Sequence, residues 1–155
     1  RRVDFHAVDL GEIGRDLIDL YEPLAAEKKI TLGLNIDDLT KTWGDRDLLF
    51  QAISNLIDNA IKYTLEGGSI QVVLKEEPAG QKIVIADSGP GIPEQERDRV
   101  FQRFYRLESH RGAEGNGLGL SLVAAIAKLH QTEILLEDNN PGLRVVWDLP
   151  RDRLV

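Results

Sequence analysis

Asn55-Leu56-Ile57-Asp58-Asn59-Ala60-Ile61-Lys62-Tyr63 decides how this chain is read, because a core-facing and a polar pattern run through the same nine residues. At about 100° per residue, Asn55, Asn59 and Lys62 fall on one narrow stripe of a helix, while Leu49, Ile53, Leu56, Ile57 and Ala60 fall opposite. One face suits a core and the other suits chemistry. A plain solvated face also carries polar residues at this spacing, so the rest of the chain must separate the two readings.

The helix extends in both directions. Asp45 can cap its start, and Gly67-Gly68 stop it. Upstream, Asp9 is a second N-cap, followed by the apolar face Leu10, Ile13, Leu17, Leu20 and Leu24 of a helix that runs to about Lys28. Ile30, Leu32, Leu34 and Ile36 then alternate with polar or small residues, the period of a strand, before the turn-prone Asp37-Asp38. Downstream, 69–77 and 82–87 read as strands joined at Pro78-Ala79-Gly80-Gln81. A short charged helix is expected from Glu94 to about Phe101, and an apolar helix from Leu118 to His130. The strands 133–137 and 143–149 form a last hairpin through Asn139-Asn140-Pro141-Gly142. The expected fold is α+β: a two-layer sandwich with a mixed, mostly antiparallel sheet of about five strands, covered on one face by about three helices.

Composition narrows the function. The 155 residues fit one domain, and 42% hydrophobic residues can build its core. A net charge of -7 disfavours a broad nucleic-acid or anionic-membrane surface, so an anionic ligand would need a local cationic cluster. The absence of cysteine removes disulfides, thiolate nucleophiles and thiolate metal sites. No apolar run approaches the roughly 18 residues of a membrane span. The chain lacks methionine and opens Arg1-Arg2-Val3-Asp4, the expected look of a piece of a longer protein.

Two further stretches carry chemistry. Asp87-Ser88-Gly89-Pro90-Gly91 follows the apolar run Ile83-Val84-Ile85-Ala86, placing a carboxylate at a strand end beside two glycines. It can accept from a heterocyclic amine, with glycines admitting a ring or phosphate to the backbone, or it can be an Asx-turn. Gly115-Asn116-Gly117-Leu118-Gly119-Leu120 opens a helix, where backbone N–H groups can cradle an anion or the glycines can act as a hinge. The dinucleotide fingerprint would need a third glycine at Leu120, and the mononucleotide loop would need Gly-Lys-Ser/Thr.

In order and spacing, NLIDNAIKY (55–63), DSGPG (87–91), FQRFYR (101–106) and GNGLGL (115–120) resemble the N, G1, F and G2 boxes of the catalytic ATP-binding domain of sensor histidine kinases. These belong to the GHKL superfamily, with type II topoisomerases, mismatch-repair ATPases and heat-shock chaperones. The resemblance covers essentially the whole chain. It implies the Bergerat-type sandwich and ATP with Mg²⁺ as cofactors. Asp87 would accept from the adenine amine, Gly89 and Gly91 would admit the base, and Tyr63 would pack on adenine or ribose. Asn59 would bind Mg²⁺ through its amide oxygen, Lys62 would reach a phosphate, and Gly115, Gly117 and Gly119 would line the phosphate side. Ile92, Leu118 and Leu120 complete the implied binding set. Arg103 or Arg106 would neutralise the triphosphate or contact a partner domain, and Phe101 and Phe104 would anchor the loop or simply pack. Residues 105–116 would form the ATP lid and 1–8 the end of a linker.

Asn55 selects the branch. ATP-hydrolysing relatives carry a glutamate there to activate water, and a neutral amide cannot take that proton. The implied role is to hold ATP for another nucleophile, with Asn55 and Lys62 as the catalytic pair. None of His6, His110 and His130 has the context of the family's phosphoacceptor. That histidine would lie on an upstream dimerisation domain, and its phosphate would pass to an Asp of a response regulator receiver domain. A nucleotide-gated interaction module and a freestanding ATPase are the alternatives. The remaining expectations are a monomeric fragment of a homodimer, no nucleic-acid partner, no direct membrane contact, and a cytoplasmic position in an inner-membrane-anchored sensor. At the end of the last helix, His130-Gln131-Thr132 stands where the family often has His-Gly-Gly.

Overall fold

A computed structural model describes residues 2–101 and 118–151. In chain order they form β1 His6–Val8, α1 Leu10–Glu27, β2 Thr31–Ile36, β3 Thr42–Gly44, α2 Arg46–Tyr63, β4 Ser69–Glu77, β5 Gly80–Asp87, α3 Leu118–Leu129, β6 Ile134–Asp138 and β7 Leu143–Pro150. Capping sets two helix starts. The Asp9 carboxylate accepts from the Glu12 amide and the Asp45 carboxylate from the Leu48 amide, each satisfying a donor that the first turn leaves open.

The main sheet has the order β2-β4-β5-β7-β6, with β2 parallel to β4 and every other pairing antiparallel. Register aligns Val72, Ile85 and Val145 in one row and Leu74, Ile83 and Trp147 in the next. All six are buried beneath the helices, among Ile13, Leu17, Leu49, Ile53, Ile57 and Ile126. A Cβ on Gly14 would come within 2.8 Å of the Leu74 side chain, so the glycine lets α1 lie close on the sheet. Side chains alternate along a strand, which turns Lys75, Lys82, Arg144 and Asp148 to the opposite face. The expected α+β sandwich is the observed one.

Three local expectations change. Residues 6–8 and 42–44 form a separate antiparallel pair, which three-residue strands are too short to announce by periodicity. The helix expected from Glu94 is instead two 3-10 turns, Glu94–Glu96 and Arg99–Phe101, with only Val100 buried within them. Arg97, between them, donates from Nε to the Ile92 carbonyl and from its guanidinium to Asp138. The β4–β5 hairpin closes through two residues, Pro78 and Ala79, because Gly80 already pairs with Glu77. Among the described residues, no helix is long and apolar enough to cross a membrane.

Candidate functional site

Asp87 ends the central strand of the sheet. Pairing places it opposite Ile70, and alternation from Ile83 and Ile85 turns it to the helix-covered side, where it is 8% exposed. Its Oδ1 accepts from the amides of Gly89, at 2.9 Å, and Leu143, at 3.1 Å. Its backbone carbonyl accepts from the Asn139 side chain at 2.8 Å. Two amides on one oxygen hold the carboxylate, and the second comes from Leu143, the first residue of β7, while the turn before it supplies the Asn139 side chain. That turn was legible only as a turn; its hold on Asp87 is new.

Glycines carry the chain past this carboxylate. A Cβ on Gly89 would stand 2.9 Å from the Tyr63 carbonyl and 3.2 Å from Asp87 Oδ1. The position therefore joins the end of α2 to the strand end, and its bare Cα permits the approach. Gly91 has φ of 74°, and a Cβ there would meet the Gly142 carbonyl at 2.9 Å, so both conformation and contact require glycine. The neighbouring end of α2 has a cap that sequence reasoning missed. Lys28 Nζ donates to the carbonyls of Ile61 and Lys62, both at 2.8 Å, meeting the open acceptors and negative end of the helix dipole. A lysine at the end of α1 gave no local signal of this role.

The polar stripe is present on α2. Leu49, Ile53, Leu56, Ile57 and Ala60 are buried, whereas Asn55, Asn59, Lys62 and Tyr63 are half-buried. Lys62 Nζ pairs with Asp58 Oδ2 at 3.1 Å, one turn back. Helix α3 runs against this stripe, and a Cβ on Gly119 would lie 3.4 Å from Asn59 Nδ2. The last of the four boxes thus starts its helix on the carboxamide of the first. Ile92 and Leu120 join Val100, Phe101, Leu136 and Leu143 in a small apolar cluster beside Asp87.

Asp87, Gly89, Gly91, Ile92, Asn59, Tyr63, Gly119 and Leu120 are therefore gathered around the end of α2, the start of α3 and the end of β5. Arg103, Phe104, Tyr105, Arg106, Gly115, Asn116 and Gly117 lie outside the described residues, as does the Leu118 side chain. Among the described residues, no cluster of three or more His, Cys, Asp or Glu could hold a metal. The geometry offers one fixed carboxylate at the floor, a neutral carboxamide against a glycine helix start, and a lysine at the rim. That combination suits a ligand with a flat polar end and an anionic end.

Comparison with known proteins gives the same picture. The family model for histidine kinase-, DNA gyrase B-, and HSP90-like ATPases matches residues 44–153. The adaptive-response sensory kinase SasA of Crocosphaera subtropica is 39% identical over 137 residues, which is 87% of this chain and 36% of that protein. The signal transduction histidine-protein kinase/phosphatase MprB of Mycobacterium leprae is 35% identical over 150 residues, 92% of this chain and 29% of that protein. The chain spans about a third of the length of these curated relatives. Among solved structures, the nucleotide-free catalytic domain of histidine kinase ThkA has a TM-score of 0.85 at 27% identity, covering 96% of this chain and 98% of that one. A larger ThkA structure, in complex with the response regulator protein TrrA, covers 96% of this chain and 42% of that one, sharing the fold at 24% identity with a TM-score of 0.82.

Proposed function

This chain belongs to the family of histidine kinase-, DNA gyrase B-, and HSP90-like ATPases and groups there with sensor histidine kinases, and on that basis we propose that it presents Mg-ATP to a histidine on an upstream dimerisation domain. The observation that carries this reading is the fixed Asp87 carboxylate beside Gly89, within one cluster with Asn59 and Gly119. Asp87 accepts from the adenine amine, and Gly89 leaves the base room. Asn59 holds Mg²⁺ through its amide oxygen, as suits a hard cation otherwise bound by phosphate and water. Mg²⁺ supplies charge neutralisation across the phosphates. Lys62 exchanges its Asp58 partner for a phosphate, and Tyr63 packs on the base or ribose. Gly115 and Gly117 line the phosphate side with Gly119, while Arg103 or Arg106 adds positive charge.

Asn55, one turn before Asn59, is the reason to favour transfer over hydrolysis. It has no proton-accepting carboxylate, so the nucleophile comes from the acceptor, and the site supplies position and charge stabilisation. A response regulator Asp then receives the phosphate, in keeping with the ThkA–TrrA complex. The full protein is a dimeric sensor anchored at the inner membrane, with this domain on the cytoplasmic side.

Radiolabelled ATP tests the assignment. The chain of 155 residues alone is expected to give almost no acid-labile phosphoprotein, and the full-length protein is expected to label strongly. Equal labelling of both would place the acceptor within this chain. Rapid phosphate release by the chain alone would favour a freestanding ATPase.

A further inference from the structure

His130 is a buried titratable group that the proposed chemistry leaves unused. It follows α3, is 4% exposed, and its ring has partners on both sides. Nδ1 lies 2.7 Å from the Ile126 carbonyl, and the Asp45 backbone N–H donates to Nε2 at 3.1 Å. A carbonyl only accepts and an amide only donates, so the ring carries its proton on Nδ1 and offers a lone pair at Nε2.

Three parts of the chain meet at this ring. Asp45 is the N-cap of α2, with Oδ1 taken by the Leu48 amide and Oδ2 by the Asp4 amide at 2.9 Å. Phe5, beside β1, stacks on the imidazole with centroids 4.8 Å apart and planes 20° apart, while Trp147 of β7 meets its edge. A Cβ on Gly44 would lie 2.9 Å from both Cδ2 and Nε2, so the backbone entering α2 is seated directly on the ring. The N-terminal strand, the start of α2 and the end of α3 share one joint.

The opposite ends of the same two helices hold the site. Asn59 lies about 21 Å along α2 from Asp45, and Gly119 about 16 Å along α3 from His130, at about 1.5 Å per residue. They meet again where Gly119 lies on the Asn59 carboxamide. A hydrogen-bonded helix carries an axial shift along its length, so a shift at the joint changes the alignment of Asn59 with Gly119. Asp87 takes its hydrogen bonds from the amides of Gly89 and Leu143, neither of which belongs to α2 or α3, so the shift reaches it less directly.

We infer that His130 is a positioning residue: by coupling the N-terminal strand to α2 and α3, it sets the phosphate side of the nucleotide site while leaving the adenine side unchanged. This rests on the nucleotide reading above. It also gives a chain upstream of Arg2 a route to the site without touching it.

The test measures ATP with Mg²⁺ and adenosine separately, by calorimetry on the 155-residue chain. His130→Leu keeps bulk and removes both hydrogen bonds, whereas His130→Gln keeps an acceptor able to reach the Asp45 amide. The leucine variant is expected to lose tenfold or more in Mg-ATP affinity while adenosine affinity stays within twofold, and glutamine is expected to recover most of the loss. Phe5→Ala, which removes only the stack, is expected to show the same selective loss at smaller size and serves if leucine does not fold. Equal losses for both ligands would reduce His130 to general packing and overturn the inference, as would unchanged Mg-ATP affinity in both variants. Wild-type protein that binds neither ligand would overturn the nucleotide reading, and the joint's role would fall with it.

Discussion

Thr64 is fully buried directly after α2, and its hydroxyl has no hydrogen-bond partner among the described residues. A buried hydroxyl left unpaired costs stability, and valine has nearly the same shape without that group. Thr64→Val is therefore expected to stabilise the nucleotide-free chain by about 1–2 kcal/mol in urea unfolding; a loss of stability would reveal a partner for the hydroxyl. Asp87 makes the opposite case, because its side chain is already held by two amides. Asp87→Asn presents a donor where the proposed contact with the adenine amine needs an acceptor. Calorimetry is expected to show at least a tenfold loss of ATP affinity, about 1.5–3 kcal/mol for a hydrogen bond to a charged group. Unchanged affinity would remove the adenine assignment. Asn59→Ala is expected to weaken binding more with Mg²⁺ than without it, and equal losses would remove the metal role.

Elements differ in how openly the sequence declares them. The N-caps Asp9 and Asp45 and the apolar faces of α1 and α2 are local patterns, and their helices lie where those patterns place them, although Leu20 and Leu24 of the face expected for α1 are exposed and Ala25 is buried instead. The hairpin strands were legible for the same reason. By contrast, β1 and β3 are three residues each and exist through pairing with each other. The cap that Lys28 places on α2 joins residues 33 and 34 apart, and the bond from Leu143 to Asp87 spans 56, so neither leaves a local trace. The residues of the proposed site can be picked out by type and spacing, but the groups that hold them in place cannot. Lys28→Met preserves the aliphatic stem and deletes the donors, with an expected cost of about 1–3 kcal/mol in urea unfolding. No change would show that the last turn of α2 finds equivalent partners in water. Gly89→Ala sets a methyl against the Tyr63 carbonyl at 2.9 Å, a backbone atom that cannot swing aside. A drop in both melting temperature and ATP affinity is expected; affinity equal to wild type would show that the end of α2 can yield without disturbing the site.

Across the whole molecule, Glu76 fastens regions far apart in sequence. It accepts from the Thr40 amide and hydroxyl, from Gln81 and from Arg151 near the end of β7. The Thr40 amide bond is the main influence; partial burial opposes it, while the Thr40 hydroxyl, Gln81 and Arg151 reinforce it, and the carboxyl is held below its ordinary value. A depressed folded-state value means that the ionised carboxylate favours the fold above the unfolded value of about 4.3, and that this contribution disappears as pH falls through the folded value. Glu76→Gln is expected to reduce stability at pH 7, with the gap from wild type narrowing under acid. A gap independent of pH would assign Glu76 a role without its charge.

The bond from Leu143 to Asp87 also has a temporal side. During synthesis, the strand bearing Asp87 is made well before the turn at Asn139–Gly142 and the Leu143 amide. A nascent chain that has emerged only to residue 138 owns the groups proposed to face adenine and the Gly89 amide, but lacks the Leu143 amide that completes the hold on the carboxylate. On the proposed reading, a fully held adenine-side carboxylate is thus among the last features the domain acquires.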